Sequence, residues 1–180
     1  MINKKIVLFI VIFFVVLTAT GAAGLYLDLS TSYDLIFNSG FEFYADTKCR
    51  VFDNFALSLP INVCCDDNAY LMTSGLNLIY YPWNEGFFVS FTICLFGFEI
   101  NSNFLEDDLF SLNEITLGWN QKLTENLVAE IQFDVRNPSK TFEEEYEEIR
   151  TIFPNYKDLR IRLLLGWEFK GGSFESKKID

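Results

Sequence analysis

The chain has 180 residues, half of them hydrophobic and 17% aromatic, with 22% charged, which builds one folded domain and excludes general disorder. A net charge of −11 repels phosphate backbones, so no nucleic-acid partner is expected. No histidine is present, which removes Ser-His-Asp triads, Cys-His dyads and His-ligated zinc, and no cofactor or metal motif replaces them.

Met1 to Lys5 carry two lysines and no acid, Ile6 to Leu17 is an unbroken apolar run, and Thr18 to Gly24 is small throughout. This order predicts a secretory signal over residues 1–23, cleaved after Ala23. The competing reading is an anchor helix, but the apolar run falls short of the roughly 20 residues that span a bilayer. Without the signal, 12 basic and 25 acidic residues leave a charge of −13. Export permits disulfides among Cys49, Cys64, Cys65 and Cys94; buried or unpaired thiols account for them equally well.

From residue 24 onward, apolar side chains recur at every second position. The first expected strands are Leu25-Leu27-Leu29, Phe41-Phe43-Ala45 and Phe55-Leu57-Leu59-Ile61-Val63. Then come Tyr70-Met72-Leu76-Leu78-Tyr80, Phe87-Val89-Phe91-Ile93-Leu95 and Ile115-Leu117-Trp119. The clearest are the last two, Leu127-Ala129-Ile131-Phe133-Val135 and Leu159-Ile161-Leu163-Leu165-Trp167-Phe169. Eight such strands suit a small closed antiparallel barrel over residues 24–170, followed by a polar tail, 171–180.

The links between them differ. Pro82 to Gly86 and Gln121 to Asn126 are short, whereas Glu99 to Ser111 and Asn137 to Lys157 are long and acidic, so turns and loops gather at opposite rims. In the last loop Thr141 and Glu144 make a capping box, and Phe142, Tyr146, Ile149 and Phe153 share one helical face. That short helix reads either as a cover on the barrel rim or as an exposed docking element for a basic partner. On the second reading Phe142, Glu143, Glu144, Glu145, Tyr146, Glu147 and Glu148 are the interaction candidates.

Alternation alone leaves open whether the apolar set points inward or outward. Three features favour outward. The opposite face carries charges of both signs, and Asp28, Glu130, Asp134, Arg136, Arg160 and Arg162 form a lumen network if that face is interior. A plausible register sets Asp134 beside Arg160 and Gln132 beside Arg162. The fifth strand is apolar on both faces. Finally, Tyr26, Tyr80, Trp83, Phe87, Trp119, Trp167 and Phe169 all fall near the short-turn end, as an aromatic girdle requires.

In these features the chain resembles the small eight-stranded outer-membrane barrels, such as the transmembrane domain of outer membrane protein A and outer membrane protein X. Gly166, Trp167 and Phe169 approximate the end of that family's last strand; the tail from Gly171 to Asp180 departs from it. The resemblance implies an all-β up-and-down transmembrane barrel in the bacterial outer membrane, monomeric, contacting outer-membrane lipid and lacking a cofactor. It also implies a structural or surface-interaction role, adhesion or host-protein binding, through the long acidic loops. Eight strands leave a lumen filled by side chains rather than a wide pore. Barrel enzymes of this kind need histidine, so no enzymatic activity is expected. The alternative is a soluble periplasmic lipocalin-like barrel holding an apolar ligand inside.

Overall fold

The computed structural model describes residues 23–30, 41–66, 69–101, 109–154 and 156–169. The expected signal and the expected tail lie outside these residues, except that Ala23 already pairs with Cys49 in the first strand. The strands are β1 (Ala23–Asp28), β2 (Phe41–Phe52), β3 (Phe55–Asp66), β4 (Ala69–Tyr80) and β5 (Phe87–Asn101). There follow β6 (Leu109–Leu112), β7 (Glu114–Lys122), β8 (Leu127–Arg136), one helix α1 (Glu143–Ile152) and β9 (Leu159–Glu168). Every pairing is antiparallel, and β1 hydrogen-bonds to β9 while β4 bonds to β5, so the sheet closes on itself. β6 and β7 lie in line along β5, interrupted only by Asn113, which makes an eight-stranded barrel from nine segments.

All eight expected strands are present. Three run further than the apolar alternation suggested: β2 continues to Phe52, β5 continues to Asn101, and the sixth strand starts with β6 at Leu109, the last two inside what was read as loop. The links at residues 53–54, 81–86 and 123–126 are short and share a rim with Ala23 and Glu168. At the opposite rim the consecutive strand ends Asp28 and Phe41, Asn101 and Leu109, and Arg136 and Leu159 are widely separated in sequence, whereas Asp66 and Ala69 are nearly adjacent, so the asymmetry is not uniform.

Polarity is reversed relative to a soluble barrel. Leu27, Phe91, Leu117, Ile131, Ile161 and Leu163 are exposed on the outer face, while Asp134, Glu130 and Arg162 are buried within. Adjacent residues make the point sharply: Leu163 is 52% exposed and Leu164 only 2%. Soluble monomers rarely expose apolar surface on this scale.

One strand breaks phase. On β5 Thr92 pairs with Asn77 and Cys94 with Leu76, which leaves Ile93 without a partner as a β-bulge. The side-chain alternation inverts beyond it. Leu95, read from sequence as sharing a face with Val89 and Phe91, is therefore buried inside, and Phe96 is exposed outside. Gly75 permits the bulge: a Cβ there would stand 2.1 Å from the Cys94 carbonyl oxygen. The apolar character of both faces of this strand follows, because its upper half lines an apolar chamber.

α1 fills that chamber. Tyr146, Ile149 and Phe153, with Tyr156 just beyond, pack on Cys64, Ala69, Leu71, Leu95 and Leu112, and Phe142 flanks the cluster. The expected helical face is thus the packed one, but the expected capping box is not formed. Thr141 Oγ1 contacts Ser139, and the helix start is held by Asn137, whose side chain accepts from Phe142 N (3.2 Å) and donates to Glu143 (2.8 Å). Asn137 can do this because it adopts a left-handed backbone conformation, φ 50°.

Candidate functional site

Among the described residues, chemistry-bearing side chains converge in the barrel interior, where they are organised in levels. Nearest the short-turn rim, two aromatic rings lie over glycines on the neighbouring strand. Tyr26 faces Gly166, and Phe88 faces Gly118; a Cβ on either glycine would fall within 2.4 Å of the ring. Lys48 Nζ sits between these rings, 4.5 Å from the centre of Tyr26 and 4.7 Å from that of Phe88. Its ion pair is with Glu130, and Asp46 Oδ2 lies 3.9 Å away. Gln132 donates to Glu130 at 2.6 Å.

The next level is built from arginines. Glu42, from β2, accepts from Arg136, Arg160 and Arg162 together. Arg162 also pairs with Asp134, whose second oxygen takes the Thr116 hydroxyl at 2.6 Å, and its guanidinium lies 4.1 Å from the Tyr44 ring. Arg136 reaches Glu114 at 3.1 Å and stacks 3.7 Å from the Tyr156 ring, which joins this level to the apolar chamber above. Arg160 approaches Asp28 at 3.7 Å. Guanidinium groups suit this task because five fixed donors can serve carboxylates on different strands.

The sequence-based register is the one observed: Asp134 pairs with Arg160 and Gln132 with Arg162 across the β8–β9 ladder. The ionic contact differs, since Asp134 bonds diagonally to Arg162, while Arg160 turns toward Glu42 and Asp28. Asp28, Glu130, Asp134, Arg136, Arg160 and Arg162 do converge on the interior. The residues missed were Glu42, Asp46 and Lys48 on β2, and Glu114. Their signal was legible as the even-numbered polar series Glu42, Asp46, Lys48, but the outward series fades after Ala45 into Thr47 and Cys49.

Of the expected girdle, Tyr80, Trp83, Trp119, Trp167 and Phe169 are exposed at the short-turn end, and Phe87 is half-buried beside them. Phe55 belongs with them, its ring 5.1 Å from that of Tyr80. Tyr26 does not. It is 2% exposed and points inward with Gly24 and Asp28, its hydroxyl donating to Glu168 at 3.1 Å. A cavity of about 610 Å³ opens at this rim between Arg50, Trp83, Trp119, Lys122 and Glu168, with Lys48 and Tyr26 on its inner wall.

The loop candidates also divide. Glu144, Glu147 and Glu148 are exposed, and Glu143 and Glu145 are partly so. Phe142 is partly buried against the chamber beneath, and Tyr146 is fully buried in it and donates to Asn113 O at 2.7 Å. Burial pushes its phenol pKa upward, which keeps it a donor. Arg150 ties α1 down by pairing with Glu143 and Asp158. Desolvation opposes its charge, but the hydrogen bonds and charges of Glu143 and Asp158 together outweigh it and raise its pKa. Cys64, Cys65 and Cys94 are free thiols.

A closed eight-stranded barrel, apolar outside and ionic within, is the fold of the small outer-membrane barrels. The N-terminal β-barrel domain of Pseudomonas aeruginosa OprF shares it, with a TM-score of 0.55 at 15% sequence identity over 83% of this chain and 98% of that domain. No protein-family model and no curated protein sequence matches the chain.

Proposed function

We propose that the chain is a monomeric protein of the bacterial outer membrane, with its short turns toward the periplasm and its helix-bearing loop outside the cell. Its role is structural and interactive rather than catalytic. The barrel is a fixed support, and the outer surface of α1 is the contact face for an extracellular or host protein. The observation that carries the membrane reading is the reversal of polarity, apolar without and charged within. A soluble lipocalin-like barrel is not favoured, because its apolar set would have to face inward, where Arg162 and Asp134 sit. The exposed side chains of α1 are largely glutamates, which suits a basic partner surface.

Fractionation of expressed protein, followed by gel migration with and without boiling, tests the support. A folded form that travels with the outer membrane and shifts on boiling is the expected result, and a freely soluble monomer overturns it. Protease added to intact cells tests the orientation: cleavage is expected within residues 137–158, with the strands spared. Protection of that segment until the membrane is broken would place α1 on the inside.

A further inference from the structure

The level around Lys48 is unbalanced. Two carboxylates, Asp46 and Glu130, share this one ammonium, and all three side chains are at least nine-tenths buried. The arginines above cannot make up the deficit, because Glu42, Glu114, Asp134 and Asp28 already engage them. Asp46 Oδ1 and Glu130 Oε2 have no hydrogen-bond partner. Neither has Gln132 Oε1, and that amide is oriented by its own donation to Glu130. Ser58, opposite Lys48 on the β2–β3 ladder, is fully buried with its hydroxyl turned to the Asp46 carboxylate, which leaves its oxygen lone pairs available. Buried polar atoms left in this state are costly, so a group of them on one level calls for an occupant. One level higher the polarity changes, since the unpartnered atom of Arg162 is a donor, Nε.

Oxygens with excess negative charge select a positively charged occupant over an anion or an apolar molecule. Among the described residues no three acidic or cysteine side chains gather as a divalent ion would require. The deficit is a single charge. We propose that the lumen beside Lys48 is a binding site for a monovalent metal cation of the sodium or potassium kind. Asp46, Glu130 and Gln132 supply oxygens, Ser58 adds its hydroxyl, and water completes the shell. The cavity at the short-turn rim has Lys48 on its inner wall, so this level adjoins it.

The test is urea unfolding of the full chain in lipid vesicles, in sodium, potassium or choline chloride at equal ionic strength. The unfolding midpoint is expected to be higher in a small metal cation than in choline. Asp46→Asn is expected to weaken cation binding about tenfold or more, the effect of losing one charged ligand, and so to erase the difference. Gln132→Met, which leaves every charge in place, serves if Asp46→Asn does not fold, and it should reduce the difference. Crystals soaked in rubidium chloride should show an anomalous peak within bonding distance of Asp46 and Glu130. Equal midpoints in all three salts overturn the proposal. So does a midpoint that follows pH while ignoring the cation, which assigns the missing charge to a proton, and so does a water-filled site without the rubidium peak.

Discussion

The arginine level and the chamber beneath α1 fill the same lumen within a short distance of each other, and they do it by opposite means. Around Arg162 the barrel is closed by its own strands: side chains from β2, β8 and β9 meet across the interior and pair by charge. Above it the strands supply only an apolar ring, and a separate helix must enter to fill the space. The bulge at Ile93 is the boundary between the two, since it turns Leu95 inward where Phe91 had pointed out. The contrast teaches that an ionic interior belongs to the barrel, whereas an apolar interior belongs to the loop that covers it. The two should therefore respond differently to mutation.

The largest effect is expected from Arg162→Ala, which leaves Asp134 unpaired and removes one of three arginines from Glu42. A cost of about 3–5 kcal/mol is expected for breaking a buried pair, read from urea unfolding in vesicles. A double-mutant cycle sharpens this. Arg162 with Asp134 should couple strongly, on the order of 1–3 kcal/mol, and Arg160 with Asp134 more weakly, although the latter two are ladder partners. Equal coupling would dissolve the diagonal arrangement. Next comes Tyr146→Ala in the chamber, at about 3 kcal/mol for a buried aromatic. Its loss should fall on the cover, so that protease cuts residues 137–158 faster while the folded barrel still shifts on boiling. If the barrel unfolds as a whole, the separation between the two regions fails.

Gly75→Ala tests the boundary itself. The new methyl group meets backbone rather than a yielding side chain, so about 1–3 kcal/mol is expected, with β5 losing its bulge in amide-exchange patterns. Stability unchanged from wild type would mean the bulge shifts freely. The smallest effect belongs to Glu147→Gln on the exposed face of α1, within about 0.5 kcal/mol. Any loss it causes should appear in binding to a basic partner and not in unfolding.

These contrasts also explain what the sequence could disclose. Along most strands the outer face repeats every second residue because a single requirement, apolarity, acts on it, and so the strands, their order and the β8–β9 register were legible. The interior obeys several requirements at once. Tyr26 was assigned to the outer girdle by its height, although its own strand places Leu25 and Leu27 outward and Tyr26 between them. Glu42 and Lys48 escaped because Thr47 and Cys49 weaken the outward series on β2. Leu95 was misplaced because one unpaired residue, Ile93, inverts the phase without any signal of composition. At the helix, Thr141 and Glu144 satisfy the local capping pattern, but Asn137, from the turn before them, takes the Phe142 amide instead.

The rings seated on glycine have a consequence for the order of assembly. Tyr26 and Gly166 belong to β1 and β9, which are far apart in the chain, and their ladder runs only from Gly24 to Asp28, whereas that of β8 and β9 runs from Leu127 to Val135. Backbone pairing at this seam continues as Leu29 N donates to Leu163 O, and the ring of Tyr26 dropping onto Gly166, with its hydroxyl on Glu168, adds a side-chain latch. Until β9 has been synthesised and delivered, Tyr26 has no seat, and one face of Lys48 has no wall. The barrel thus cannot complete its interior stave by stave. The floor of the lumen is finished in the same event that zips the first strand to the last.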